Sequence, residues 1–301
     1  MNLAQLPAVL LRKISDGSIR ESVRYRVRQA ELAVVRAAGA RHLDMRLENG
    51  LRFRIYFDSK ICTWIYLGGF EPHERQFARD YLRPGDTFFD VGANYGIFSL
   101  LASERVGNTG QVHAFELLPS VVKRLTENVT LNHLSNVSIH PIGWSDADAE
   151  LDMVVSREGF DAWASLTNAA PGAHDTTEPV RITSYDNWSS ERTVPEPTLV
   201  KLDVEGWEIH ALRGAESLLS ADNSTDWLIE FSRIEREGYF DYTDRLFAFL
   251  RERGYRLFRL NAAPRTLTEL QATPPEFYTN LFVTRNVDSV LTERLTTYLL
   301  G

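Results

Sequence analysis

The chain has 301 residues, with 33 Lys or Arg against 41 Asp or Glu, a net charge of -8. That balance excludes a general nucleic-acid binder, which presents a basic surface, and the single cysteine, Cys62, excludes an intrachain disulfide or a multi-cysteine zinc site. With 44% hydrophobic residues it buries a sizeable core, enough for one large α/β domain and an appendage, and no apolar run is long enough to span a membrane.

The opening "LAQLPAVLL" is apolar, but Arg12 and Lys13 follow it, the wrong order for a secretory signal, so a cytoplasmic protein is expected. Residues 12 to 41 hold eight Arg or Lys and three acids. Val23, Val27, Ala30, Val34 and Ala37 recur there at spacings of three and four, predicting an amphipathic helix with a solvated basic face. A contact with an acidic partner, a membrane surface or a second copy of the chain is the alternative use of that face. Next, "LDMRLENGLRFRIYF" alternates apolar and polar residues on both sides of Asn49-Gly50, predicting a hairpin closed by a type I′ turn.

From Thr87 strands and helices alternate. Strands are predicted at 87–91, 111–117, 137–144, 198–204, 227–231, 255–260 and 280–285, with helices at 96–105, 120–132, 207–220 and 243–253. Such alternation gives an α/β, Rossmann-like, mostly parallel seven-stranded sheet with helices on both faces. No helical pattern separates the last two strands, so the final one is expected to enter antiparallel. Residues 1–80 form an N-terminal extension and 81–301 the main domain. Within the latter, 145–197 reads as short strands and loops inserted on the substrate side, where Trp163, Tyr185 and Trp188 are aromatics able to stack on a sugar. Trp163, in the polar setting "FDAWASLT", is the best placed for such contact.

The first strand runs into Asp90-Val-Gly-Ala-Asn-Tyr-Gly96. Ligands of open α/β sheets bind beyond the carboxyl ends of the strands, where strand order reverses. Gly92 and Gly96 allow a tight turn and close backbone approach, Asn94 lies between them, and the helix that follows aims free N–H groups at the same place. Asp90 can accept hydrogen bonds there. Glu116 closes the second strand, where a carboxylate takes both hydroxyls of a ribose. The loop is one glycine short of the dinucleotide fingerprint, which suits a nucleoside cofactor without pyrophosphate, such as S-adenosylmethionine.

These motifs resemble the FkbM-type family of S-adenosylmethionine-dependent methyltransferases. The matching stretches are "YLGGFEPHERQFARDYLRPGDTFFDVGANYGIFSLLAS", "VHAFELLPSVVKRLTENVTLNHLSNVSIHPIGWSD" and "LVKLDVEGWEIHALRGAESLL", with "FLRERGYRLFRL" and "NLFVTR" near the end. The resemblance implies a class I methyltransferase sheet and O-methylation of a hydroxyl on a sugar, glycolipid or polyketide-like molecule. The family's Phe-Glu-Pro is Phe115-Glu116-Leu117 here, and Trp207 replaces a residue that is usually small, changing the acceptor wall.

Methyl transfer to oxygen needs alignment, and a base or metal to take or weaken the acceptor proton. Asp203 and Glu205 end the strand expected beside the first one, and Glu230 ends the next. These acids are candidate bases or ligands for a divalent ion such as magnesium. Glu205 could equally be a helix N-terminal acid. Lys201, inside a strand, has to pair with an acid, Asp203 or Asp90. Trp144, closing the third strand, joins the candidate cofactor set, and Trp207 the acceptor set with Trp163. The Asn/Asp-Pro-Pro-aromatic motif of amino methyltransferases is missing from the fourth strand end, favouring oxygen as acceptor. The competing classes are an NAD-type oxidoreductase and a non-catalytic protein that keeps the cofactor fold.

Overall fold

The computed structural model describes residues 18–155, 176–220, 222–232, 242–262, 265–274 and 278–300. They divide into two compact units, one made of residues up to Met45 with Arg54–Phe70, the other of Arg46–Phe53 and Glu71–Gly301.

The first unit carries helix α1 (Ser18–Ala37) and helix α2 (Lys60–Leu67). Ser59 caps α2 by accepting the Cys62 N–H at 3.0 Å. The inward face of α1 is not the predicted valine stripe: Val27 and Val34 are 60% and 68% exposed, whereas Leu32 is buried. The helix is rotated because Arg28 donates to the Tyr66 carbonyl at 2.6 Å and lies over the Tyr66 ring, so its aliphatic stem and Leu32 take the packed side.

Strands β1 (His42–Arg46) and β2 (Arg52–Tyr56) form the expected hairpin, but not through a type I′ turn. Gly50 has φ 85° and Asn49 is not in the left-handed region. The Gly50 N–H bonds the Leu47 carbonyl and the Leu47 N–H bonds that of Leu51, closing a three-residue loop with one left-handed glycine.

The second unit opens with α3 (Pro72–Tyr81), whose first residue is a proline, tolerated there because that N–H would be unbonded anyway. Strand β3 (Thr87–Val91) follows, buried along its whole length, then α4 (Ile97–Val106), β4 (Gln111–Phe115), α5 (Pro119–Leu131) and β5 (Val137–His140). The predicted third strand ends at His140, because Pro141 cannot donate to a ladder. Its remainder, β6 (Gly143–Trp144), starts a separate sheet of order β6-β8-β7 with β7 (Ala149–Val155) and β8 (Thr176–Thr183). Helix α6 (Tyr185–Ser190) leads to β9 (Leu199–Leu202), α7 (Glu208–Arg213), β10 (Asp226–Ser232), α8 (Tyr242–Glu252) and β11 (Arg256–Ala262). Two short strands, β12 (Arg265–Glu269) and β14 (Leu299–Leu300), flank β13 (Tyr278–Thr284) and α9 (Val287–Glu293) in the chain.

The main sheet has order β14-β12-β11-β13-β10-β9-β3-β4-β5. Strands β5, β4, β3, β9 and β10 are parallel, and β13 enters antiparallel between β10 and β11, as expected for the final predicted strand. The fold is thus the Rossmann-like class I methyltransferase sheet, with two edge strands beyond the seven expected. Strand β12 arises from "RTLTE", too short for a periodicity to show. Among the described residues no helix is long and apolar enough to cross a membrane.

Two glycines hold neighbouring elements at backbone distance. A Cβ on Gly214 would lie 1.8 Å from the Ser145 carbonyl oxygen, and one on Gly92 1.8 Å from that of Asp203. Gly92 also has φ 82°. Gly92→Ala should therefore cost more than about 3 kcal/mol, since strain and a backbone clash combine. Gly254→Ala, at φ +81° with nothing within 4 Å of the new Cβ, should cost only about 1 kcal/mol. Urea unfolding of the two variants measures the difference.

Candidate active site

Strands β3 and β9 are neighbours at the centre of the sheet, with β4 and β5 to one side and β10 to the other. The crevice beyond their carboxyl ends is the topological switch point of the sheet. Two groups of side chains meet there.

The first group is the glycine loop and Glu116. After β3 the backbone turns through Gly92 (φ 82°), Asn94 (φ 49°) and Gly96 (φ 86°), three left-handed residues in five. The N–H groups of Gly92 and Ala93 both bond the Phe115 carbonyl, tying the loop to the end of β4. The buried Glu116 carboxylate accepts the Asn94 N–H on one oxygen and the Leu118 N–H on the other, each at 2.9 Å. Each oxygen keeps a lone pair for a further donor. Burial pushes this carboxyl up to about 7, against the pull of those N–H groups. Asp90 is buried below the loop and accepts the Ser99 hydroxyl at 2.6 Å. Its carboxyl is raised by burial, against the opposing influence of Lys201 and Ser99.

The second group surrounds Lys201. This lysine is 2% exposed and is the register neighbour of Asp90. Its Nζ lies 2.5 Å from Asp203 Oδ2, 3.6 Å from Glu71 Oε2 and 4.7 Å from the Phe98 ring centroid. Burial alone would lower the ammonium; the carboxylates of Asp203, Glu71 and Asp90 outweigh it and hold Lys201 above its ordinary range. Glu71 is fixed in turn by Asn280, whose Nδ2 donates to Oε1 at 2.8 Å. Asn280 stands opposite Glu230 across β10 and β13.

Asp203, Glu205 and Glu230 each offer a carboxylate oxygen within 4.8 Å of the others'. Glu205 is half-buried and left-handed at φ 53°, a strained conformation for a side chain of its size. Its carboxyl is held well above the usual range, by burial first and by Asp203 and Glu208 next. Glu230 is raised by burial first and by the carboxylates of Asp203, Glu205 and Glu208 next. The helix-terminal acid is Glu208 rather than Glu205. Glu208 accepts the Gly206 and Val204 N–H groups at 3.1 and 3.3 Å and the Tyr242 hydroxyl at 2.9 Å, which pins the loop carrying Glu205.

The aromatic assignments fare differently. Trp144 is 1% exposed, with its ring against Phe115 at 5.1 Å and Tyr185 at 5.0 Å, so its side chain belongs to the core and not to a cofactor face. Tyr185 and Trp188 are also buried, Trp188 edge-on to Phe115 and His140 at 5.0 and 4.9 Å. Both are carried by α6 and also meet the Phe89 ring of β3. Trp163 lies outside the described residues. Trp207 is half-buried, donates to Ser145 Oγ at 3.1 Å and stacks on His210 at 4.0 Å; His210 in turn meets Asp146 at 2.8 Å.

Glu71, Glu208 and Asn280 were not singled out by sequence reasoning. Glu208 carried a signal, an acid in the first turn of a helix after Glu-Gly. Glu71 and Asn280 reach the site only through the tertiary fold, 130 and 79 positions from Lys201.

Residues 90–257 match the Methyltransferase FkbM domain, more than half of the chain. The chain belongs to the FkbM methyltransferase family. It is 28% identical over 142 residues to the hexuronic acid methyltransferase AglP of Haloferax volcanii, covering 46% of this chain and 53% of that protein. It is 32% identical over 79 residues to the arsenite methyltransferase of Halobacterium salinarum, covering 25% of this chain and 20% of that one. The chain thus spans about half or less of these relatives. Among solved structures it is similar to a SAM-dependent O-methyltransferase of Thermotoga maritima, at 15% identity and TM-score 0.41, over 81% of this chain and 77% of the other.

The Glu116 environment makes a pH prediction for this FkbM-family chain. A carboxyl at about 7 when folded, against 4.5 ordinarily, keeps its proton longer in the native state. Between those values the unfolded state binds fewer protons, so native stability from this group falls as pH rises and levels off above about 7. Relative to Glu116→Gln, the wild type should lose on the order of 3 kcal/mol between pH 4.5 and 7.5, read from urea unfolding of both proteins across that range.

Proposed function

We propose that this chain is an S-adenosylmethionine-dependent methyltransferase that methylates a hydroxyl of a small-molecule or glycan acceptor, a sugar acid being the best-supported class. The observation that carries the cofactor reading is Glu116, held by one N–H from the glycine loop and one from the start of α5, with a lone pair left on each oxygen. That is the arrangement a vicinal diol requires. Membership of the FkbM family and similarity to a hexuronic acid methyltransferase support the reaction and the acceptor class.

Bound in this crevice, S-adenosylmethionine supplies an electrophilic methyl group on a positively charged sulfur. The chain's part is alignment, exclusion of water and proton removal. The acceptor oxygen gains the methyl carbon as the carbon–sulfur bond breaks, and its proton passes to the carboxylate cluster. Lys201 neutralises Asp203 and keeps it fixed. Glu230 is buried while Asp203 and Glu205 are half-buried, and with Asp203 engaged by Lys201, Glu205 is the member of the cluster best placed to take the acceptor proton, a role its raised proton affinity favours. Trp207, anchored to Ser145, forms a wall beside it.

Two measurements test this reading. Glu116→Ala should weaken S-adenosylmethionine binding by about 1.5–3 kcal/mol in calorimetry, the range for hydrogen bonds to a charged group; unchanged affinity would remove the ribose assignment. Glu205→Gln should keep cofactor affinity and slow S-adenosylhomocysteine formation by about 10² on a hydroxylated acceptor drawn from a panel led by hexuronic acids. Turnover near wild type would assign the proton transfer elsewhere.

A further inference from the structure

We propose that Asp203, Glu205 and Glu230 form a binding site for one hard divalent cation, of the magnesium, manganese or calcium class, at the carboxyl ends of β9 and β10.

Three observations combine. The first is spacing: one oxygen from each of the three carboxylates falls within 4.8 Å of the other two. Ligands on opposite sides of a calcium ion stand about 4.6–5.2 Å apart, and on opposite sides of magnesium about 4.2 Å. A spacing bounded at 4.8 Å is compatible with either ion. The second is an orphan ligand atom. Glu230 is 3% exposed, yet its Oε2 has no hydrogen-bond partner among the described residues. A buried carboxylate oxygen left without a donor is costly, and a cation removes the cost. The third is charge. Lys201 Nζ lies 2.5 Å from Asp203 Oδ2 and 3.6 Å from Glu71 Oε2, so its single positive charge is already shared, and among the described residues no ion pair is seen at Glu205 or Glu230. Lys201 satisfies Asp203 Oδ2, which leaves Oδ1 for a metal.

The chemistry of the donor set fits a hard ion. All three donors are carboxylate oxygens from three different positions on two strand ends, with neither histidine nor thiolate to favour zinc or copper. Three protein ligands leave positions for water or an acceptor hydroxyl. In the hydroxyl-directed transfer proposed above, on which this role rests, a cation so placed would lower the acceptor pKa and orient its oxygen. Glu205 would then act as its ligand, the metal taking over the activation assigned above to Glu205 as base.

Binding is measured without acceptor, so the site can be tested apart from the reaction. Full-length protein is stripped with a chelator and titrated with manganese followed by electron paramagnetic resonance, and with magnesium and calcium by calorimetry. One site is expected, with a dissociation constant on the order of 10⁻⁴ M. Glu230→Gln should weaken it at least tenfold, and Glu216→Gln, a surface acid paired with Arg253, should leave it unchanged. Manganese should also raise the melting temperature of the wild type and not that of Glu205→Gln, a comparison that stands should Glu230→Gln fold poorly. No site below 5 mM, or a site indifferent to both active-site substitutions, would overturn the proposal. Cofactor binding without metal binding would overturn this inference and leave the methyltransferase reading standing; metal binding without cofactor binding would do the reverse.

Discussion

A lysine ammonium enclosed in the middle of a parallel sheet must be matched by negative charge, and that requirement organises the carboxyl ends of the central strands. Lys201 lies beside Asp90 in register, bonds Asp203 two residues on, and draws Glu71 from the start of α3. Through Asn280 the same network reaches β13, the antiparallel strand that closes the other side of the crevice. A buried pair of this kind adds little net stability compared with an apolar replacement; its value lies in fixing which groups meet. Here it fixes three strand ends and one helix start around a point where more carboxylates gather than one cation can satisfy. Burial first, and these neighbouring carboxylates next, leave Glu205 and Glu230 with raised proton affinity.

The second constraint is the close approach of backbones. With Gly92 against the Asp203 carbonyl, the glycine loop after β3 and the acidic loop after β9 share one wall. The Asn94 N–H, turned outward by its left-handed φ, then meets Glu116 at the end of β4. Cofactor-side and acceptor-side groups are therefore positioned by the same few peptide units, and a change at Gly92 would reach both. The steric reason for that glycine lies within the fold itself.

Much of this was legible in the sequence because its determinants are local. The strand runs "TFFDV" and "LVKLDV", the Gly-x-Asn-x-Gly turn, and the acid after "VHAF" announce themselves within a few residues, as does the pairing demand of a lysine inside an apolar strand. Other features depend on what packs against what. The face of α1 followed Leu32 and the reach of Arg28 instead of the valine spacing. Trp144 stood in the cofactor set at the end of a predicted strand, and Tyr185 and Trp188 among the stacking aromatics of the insertion; all three are buried and pack as one aromatic layer with Phe115. Glu71 and Asn280 carry no pattern of their own; only the fold brings them to Lys201. Gly50 showed that Asn-Gly marks a hairpin more reliably than it marks the turn type.

The claim that a buried lysine sets the geometry and electrostatics of this crevice is tested most directly by Lys201→Met. Removing the ammonium leaves Asp203, Glu71 and Asp90 buried without their common partner, which should cost about 3–5 kcal/mol at pH 7.5. Lowering the pH to 5 lets these carboxyls take up protons in the folded state, so the deficit relative to wild type should shrink by at least half. Urea unfolding of both proteins at the two pH values reads this out. A variant as stable as wild type at pH 7.5, or a deficit that grows on acidification, would contradict the account.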